Sequence, residues 1–457
     1  MGETLALFEP SFNRAVKVEA RPERLSSDAG AILLREALDQ SGIIEDLAAR
    51  LTDPRDPRFI EHPLPELLRS LVLLFAQGWD DLSDAGPLRD DPVLAVARSV
   101  RRGVGAGGGA LASQPTLSRL LDTLARPENA PAIDGAALRL AGRRLRAANR
   151  GRHRRRLTID VDGLPLPVHG AQPGSAYNGH VGARIHYPLI ASCAETGDML
   201  GALLRPGNAG PSAEAKVWIP QLVNAAEREL CQRAQVRLDA GFTDGETLEA
   251  LDARGIGYIG RLRDNAALQR LFDPHRRRGP GRPAERPREW IVESRYRAGS
   301  WARERRVLIV VQERPDELFR RCFYLVTNLT TPPSQLLALY RRRGKAEGHM
   351  GELKDSFGAS LPSTSRGRAS EAVVLARSRA WLALRLLAYE LLHWLRAPLE
   401  RATGEGWSLR RVRERLLKTA ARVQRSGRRL IVVLNRAAAQ YWRMLFPRLQ
   451  RPRPAPG

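Results

Sequence analysis

A chain of 457 residues, 43% of them apolar, is long enough for about three domains with a sizeable buried core, which excludes a small scaffold held by staples. Its net charge of +24, from 74 Lys+Arg against 50 Asp+Glu, sets up a field that concentrates polyanions; a genome favouring Arg adds to the excess, but nucleic acid is the leading partner. Cys193, Cys231 and Cys322 stand far apart with no C-x-x-C pair, which excludes a disulfide framework and a structural zinc site and fits a reducing cytoplasm.

The N-terminal MGETLALFEPSFNRAV has early acids and no uninterrupted apolar core, so no signal peptide is expected. From about Ala31 to Asn149, apolar residues recur at three- and four-residue spacing, as in LPELLRSLVLLFAQG and TLSRLLDTLA, which predicts helices with Ser113 or Thr116 as a cap. GVGAGGGALASQ is a loop within this region. The cationic run RRLRAANRGRHRRR, Arg143 to Arg156, precedes the first clear strand and is placed to meet phosphates.

Strand patterning starts at Leu157. In LTIDVDG, Leu157, Ile159 and Val161 alternate with Thr158, Asp160 and Asp162. ARIHYPLIASC and DMLGALLRPG, joined by AETG, predict a hairpin that completes an antiparallel three-strand unit. A helix from Ser212 to about Gln232 follows, then the strand AQVRLDAG, a helix opened by TDGE with Thr243 and Glu246 at capping-box spacing, and the strand GYIGRLR. A meander followed by β-α-β indicates a layered α/β domain. FDPHRRRGPGRPAERPRE reads as a loop; RRVLIVVQE and RCFYLVTNL make the stretch after it a β-rich insertion. The last hundred residues read as helices, and RPRPAPG as a disordered tail. AVVLARSRAWLALRLLAYELLHWL is broken by Arg377, Arg379, Arg385 and Glu390, so it is expected to pack as an amphipathic helix, not to span a membrane.

The expected organisation is therefore a helical region over 1–150, to which the family resemblance given below assigns DNA binding and dimerisation, a mixed α/β core over 151–263 and 331–400, a β-rich insertion over 264–330, and a helical C-terminal region with its tail over 401–457.

Asp is disfavoured inside a strand. Asp160 is therefore either an edge residue satisfied by water or a hard-oxygen ligand for a divalent cation. Asp239 falls at the C-terminal tip of VRLDAG, where open α/β sheets place their sites. YRRRGKAEGHMGELKD, Tyr340 to Asp355, spends three glycines on a helical pattern at about 1 kcal/mol each. Treated as one helix, it puts Tyr340, Arg343, Glu347 and Lys354 on one face, with Gly344 and Gly351 beside them. Such a face lets a phosphate backbone approach closely.

This set resembles the bacterial insertion-sequence DDE transposases. Their Y-x2-R-x3-E-x6-K signature stands here as Tyr340, Arg343, Glu347 and Lys354, preceded in order by the aspartates of LTIDVDG and VRLDAGFTD and by the β-rich stretch. QPTLSRLLD and YNGHVGARIHYPLIAS make it most similar to the thirteen-eighty group, and the likeness covers about Gln114 to Leu395.

The resemblance implies a ribonuclease-H-like mixed sheet flanked by helices, with Asp160, Asp239 and Glu347 as catalytic metal ligands. Two Mg²⁺ ions about 3.5–4 Å apart, or Mn²⁺ in their place, suit in-line phosphodiester chemistry. It further implies that Tyr340, Arg343 and Lys354 contact double-stranded DNA, and that Trp290 or Trp301 stacks a flipped base. The implied activity is cut-and-paste transposition: binding of terminal inverted repeats, cleavage, and strand transfer to target DNA by a homodimer, in a bacterial cytoplasm at the nucleoid. The rival readings are a nuclease of the same fold and an inactive transposase-derived DNA-binding protein.

Overall fold

The structure is a computed structural model that describes residues 5–13, 15–21, 23–168, 172–278, 285–357, 361 and 370–449. The RPRPAPG tail and part of the Pro/Gly/Arg loop lie outside the described residues. The chain divides into two compact units, one from Met1–Ala49, Asp53–Leu120 and Leu391–Gly457, the other from Arg50–Thr52 and Leu121–Glu390. This differs from the expected organisation, since the first unit joins the two ends of the sequence.

In that first unit the helices Ala31–Ser41, Leu64–Gln77 and Pro92–Arg98 form as the periodicity indicates, and Leu64–Gln77 is buried along nearly its whole length. The C-terminal region expected to be helical instead contains an antiparallel hairpin, Ala421–Ser426 with Arg429–Leu434, whose first strand also pairs with Leu25–Ser26. Its turn uses Gly427 at φ 56°, a conformation open to glycine at little cost.

The second unit is built on an eight-stranded sheet. In chain order its strands are β1 (Leu157–Gly163), β2 (Leu189–Cys193), β3 (Met199–Leu203), β4 (Ala234–Leu238), β5 (Gly257–Leu262), β6 (Arg288–Tyr296), β7 (Arg305–Glu313) and β8 (Arg321–Thr327). They lie in the order β6-β7-β8-β5-β4-β1-β2-β3. β1, β2 and β3 form the expected antiparallel meander, and β4 pairs parallel to both β1 and β5. The β-rich stretch is present, but its strands extend the core sheet through β8 against β5 and do not make a sheet of their own.

Two local expectations change. ARIHYPLIASC is divided, with Ala183–His186 pairing in a small separate sheet, because Pro188 has no N–H to continue a ladder. The cap of helix Gly245–Ala253 is Asp244, whose carboxylate accepts the Thr247 N–H at 3.0 Å; the Thr243 hydroxyl instead donates to the Arg261 carbonyl at 2.8 Å.

Alternation in β1 decides where the site lies. Leu157, Ile159 and Val161 enter the main core with Val223 and Ala226 of α1 (Ala215–Glu229) and with Leu248 and Leu251. Thr158, Asp160 and Asp162 consequently point to the other face of the sheet. On that face a smaller core of Ile259, Leu308, Val310 and Leu325 takes Leu336 and Leu337 from α2 (Pro333–Arg341). α3 (Gly344–Phe357) follows, and the long α4 (Glu371–Thr403) is helical as expected. Among the described residues no helix is long and apolar enough to cross a membrane.

Candidate active site

The parallel register of β1 and β4 sets Arg237 opposite Asp160 and Leu238 opposite Val161. One step further it brings Asp162 beside Asp239, where both strands end.

Asp160 and Arg237 are each 1% exposed and form a two-pronged ion pair, Arg237 Nε to Oδ1 and Nη2 to Oδ2, both at 2.6 Å. Burial raises the Asp160 carboxyl above its ordinary range, against the pull of Arg237. The third donor, Arg237 Nη1, reaches the Leu339 carbonyl of α2 at 2.6 Å. Both oxygens of Asp160 are thus committed to a guanidinium inside the fold. Asp160, expected as a metal ligand, is here paired with Arg237, and through Arg237 it ties the end of α2 to the sheet.

Asp162 and Asp239 are different. Their side chains are 30% and 45% exposed, and Arg343 stands between them, with Nη2 at 2.7 Å from Asp162 and Nη1 at 3.9 Å from Asp239. Burial raises the Asp162 carboxyl; Arg343 opposes that rise and the nearby Asp239 adds to it. Burial works against the charge on Arg343, but Asp162 and Asp239 outweigh it and hold the guanidinium above its usual value. Among the described residues the buried Arg343 Nε has no partner. A cation bridging two carboxylates at the tips of adjacent parallel strands is the electrostatic arrangement a divalent ion would require there.

Tyr340 and Arg343 do not continue one helix into Glu347 and Lys354. α2 ends at Arg341 and α3 begins at Gly344, with short-range bonds from Arg343 N–H to the Tyr340 carbonyl, 2.9 Å, and Ala346 N–H to the Arg343 carbonyl, 2.8 Å. The single face drawn from the sequence is therefore broken, and this break turns Arg343 toward the strand tips. Tyr340 packs on the smaller core. Glu347 and Lys354 are exposed on α3. Among the described residues no three of His, Cys, Asp and Glu stand close enough to hold a metal ion together, so Glu347 is not gathered with the aspartate pair.

Within α3, Ala346, Met350 and Leu353 are buried, while Gly344, Gly348 and Gly351 recur at helical spacing on the opposite side. A Cβ added at any of the three would meet nothing within 4 Å. No packing among the described residues requires them to be glycine.

The tryptophans are part of the framework. Trp301 is 4% exposed, edge-on to Tyr296 at 5.4 Å and under Arg305 at 4.9 Å, so its ring offers no face to a base, which corrects the expectation of stacking for this residue. Trp290 is half-buried against the main core, with Arg320 over its ring at 4.9 Å.

Two residues of this site do not stand out as site residues in the sequence. Asp162 has a signal there, since it shares a face with Asp160 and lies nearer the strand tip. Tyr187 has none: its ring would sit 2.4 Å from a Cβ at Gly163, and burial together with Asp162 and Asp239 raises its phenol.

With this geometry in view, comparison with known proteins is decisive at the level of family. The profile described as Transposase DDE domain group 1 matches residues 8–453. The chain belongs to the DDE transposases. It is thus an enzyme of DNA transposition, a polynucleotidyl transferase of a family that uses divalent cations and binds DNA. No curated protein matches the transposase. Seven solved chains match it, among them one from the piggyBac transposase synaptic complex with hairpin DNA, 12% identical with a TM-score of 0.41, covering 93% of this chain and 83% of that one.

Proposed function

We propose that this transposase binds the terminal inverted repeats of its element, cuts them free and joins them to target DNA in a Mg²⁺-dependent reaction, acting on DNA as a homodimer. Mn²⁺ would substitute for Mg²⁺. The observation that carries the site assignment is the juxtaposition of Asp162 and Asp239 with a guanidinium bridging them. Asp162 takes the ligand role that the family resemblance gives to Asp160, and Glu347, which stands apart from the pair in the free protein, joins it as the third ligand when DNA and cation are bound.

Two bound cations would activate the attacking water or 3′-hydroxyl and stabilise the departing oxygen. The chain's own groups do the rest. Asp162 and Asp239 supply hard oxygen donors from two rigid strands. Arg343 neutralises the pair before DNA arrives and, once released, faces the scissile phosphate. The strut of Asp160 and Arg237 fixes the end of α2 and with it the position of Arg343. Tyr340 and Lys354 contact DNA on either side of the break, as the signature shared with the thirteen-eighty group suggests. Half-exposed Trp290 is retained as the aromatic for a flipped base.

The test is strand transfer: pre-cut end DNA is incubated with a supercoiled plasmid, the transposase and Mg²⁺. Joined product is expected. Cleavage of end DNA with no joined product would favour a nuclease of the same fold and overturn this reading.

The open glycine face of α3 supports a close approach by a phosphate backbone. Gly348→Ala is expected to stabilise the free protein by up to about 1 kcal/mol through helix propensity, read as a rise in Tm, while weakening binding to end DNA. Stabilisation with unchanged binding would remove the glycines from the DNA interface.

A further inference from the structure

The cationic run leading into β1 lies at the opposite end of the sheet from Asp162. Arg156 and Asp162 are six residues apart along an extended strand, or about 20 Å at about 3.3 Å per residue. The run therefore does not belong to the active site.

Its backbone is firmly held. Helix Ala136–Ala148 ends in a turn with Arg150 at φ 52° and Gly151 at φ 80°. The turn is closed by Gly151 N–H to the Arg146 carbonyl, 2.8 Å, and by Asn149 Nδ2 to the Arg152 carbonyl, 2.9 Å. An arginine in the left-handed region is uncommon, where Gly or Asn would cost less. Beyond the turn, Arg154 N–H bonds the Leu230 carbonyl at 3.1 Å, and Gln232 N–H bonds the Arg154 carbonyl at 2.8 Å. The pairing of Leu157 with Ala234, continued back one residue, puts Arg156 beside Arg233. Like charges placed opposite each other are destabilising unless something neutralises them.

Nothing within the described chain does so. Arg150, Arg152, Arg155, Arg156 and Arg233 are exposed and Arg154 is half-buried, and among the described residues none of these six side chains makes a hydrogen bond or ion pair. The carboxylates nearby are already engaged: Glu195 accepts from the Thr158 N–H, Glu227 from the Ala234 N–H, and Glu229 pairs with Arg146. The patch carries fixed, unneutralised positive charge on a rigid base formed by two chain segments.

We propose that this patch is a second DNA-contact surface, which grips the phosphates of double-stranded DNA without regard to sequence, about 20 Å from the chemistry. It rests on the transposase reading and adds a place and a mode of binding. Neutralising one arginine that meets a phosphate should make the salt slope of log Kobs shallower by about 0.9.

The test uses the full-length chain with Arg150→Gln, Arg152→Gln, Arg155→Gln, Arg156→Gln and Arg233→Gln combined. The probes are 30-base-pair duplexes of end and of unrelated sequence over a range of salt. The expected result is a Tm that is unchanged or raised, since the opposed charges of Arg156 and Arg233 are removed, a slope shallower by about 4.5 on both duplexes, and an unchanged single-turnover cleavage rate once DNA is saturating. An unchanged slope overturns the proposal, as does loss of cleavage at saturation, which would place the patch at the chemistry. If the unsubstituted protein binds neither duplex, it is the transposase reading that fails instead.

Discussion

Asp162→Asn is expected to lower single-turnover cleavage of end DNA by roughly three orders of magnitude, about 4 kcal/mol at 1.36 kcal/mol per decade, with end binding and Tm nearly unchanged. The substitution keeps the size of the side chain and its contact with Arg343, which bonds Oδ2 at 2.7 Å, but removes the charge. A neutral amide is a poor ligand for a hard cation. Asp162 is partly exposed at the end of β1, so little of the fold depends on it. Gel-shift binding measured beside cleavage separates the two effects. Cleavage within a few-fold of the unsubstituted protein would remove Asp162 from the site.

Asp160→Asn should fail for a different reason. Asn leaves the guanidinium of Arg237 charged, 1% exposed and without a counter-ion. Breaking one side of a buried pair typically costs about 3–5 kcal/mol. For a unit of this size that corresponds to a Tm lower by about 5–9 °C. Because Arg237 also holds the Leu339 carbonyl, the end of α2 should loosen and cleavage should fall together with stability. The combined Asp160→Leu and Arg237→Met variant removes both charges and should recover most of the missing Tm, since buried pairs contribute little beyond their apolar replacements. A fully stable Asp160→Asn protein that no longer cleaves would contradict the strut and return Asp160 to the chemistry.

The two neighbouring aspartates show how far the sequence can be read. Period-two alternation in LTIDVDG places Asp160 and Asp162 on one face of a strand, and the strand forms over those residues. Alternation does not say which of two residues on a face is covered by the next layer. That depends on the cross-strand partner, and Arg237 sits 77 residues away from Asp160. The meander, the β-α-β unit and the tip position of Asp239 are legible because each rests on local pattern.

What is not legible depends on long-range pairing. The strands after Asp264 join the core sheet because β8 meets β5, which no local spacing reveals. The hairpin Ala421–Leu434 meets Leu25–Ser26 from the far end of the sequence. The break between α2 and α3 is a subtler miss. Gly344 reads in the sequence as a small residue within a helix, whereas the backbone uses its position to restart the helix with Arg343 outside it.

The most direct test of the central claim, that Asp162 and not Asp160 faces the cation, is metal rescue of a thiolate variant. Soft thiolate ligands disfavour Mg²⁺ relative to metals such as Mn²⁺. Asp162→Cys is expected to be inactive in Mg²⁺ and to regain measurable end cleavage in Mn²⁺, while Asp160→Cys shows no metal-specific recovery. Rescue of Asp160→Cys by Mn²⁺, with none for Asp162→Cys, would contradict the assignment.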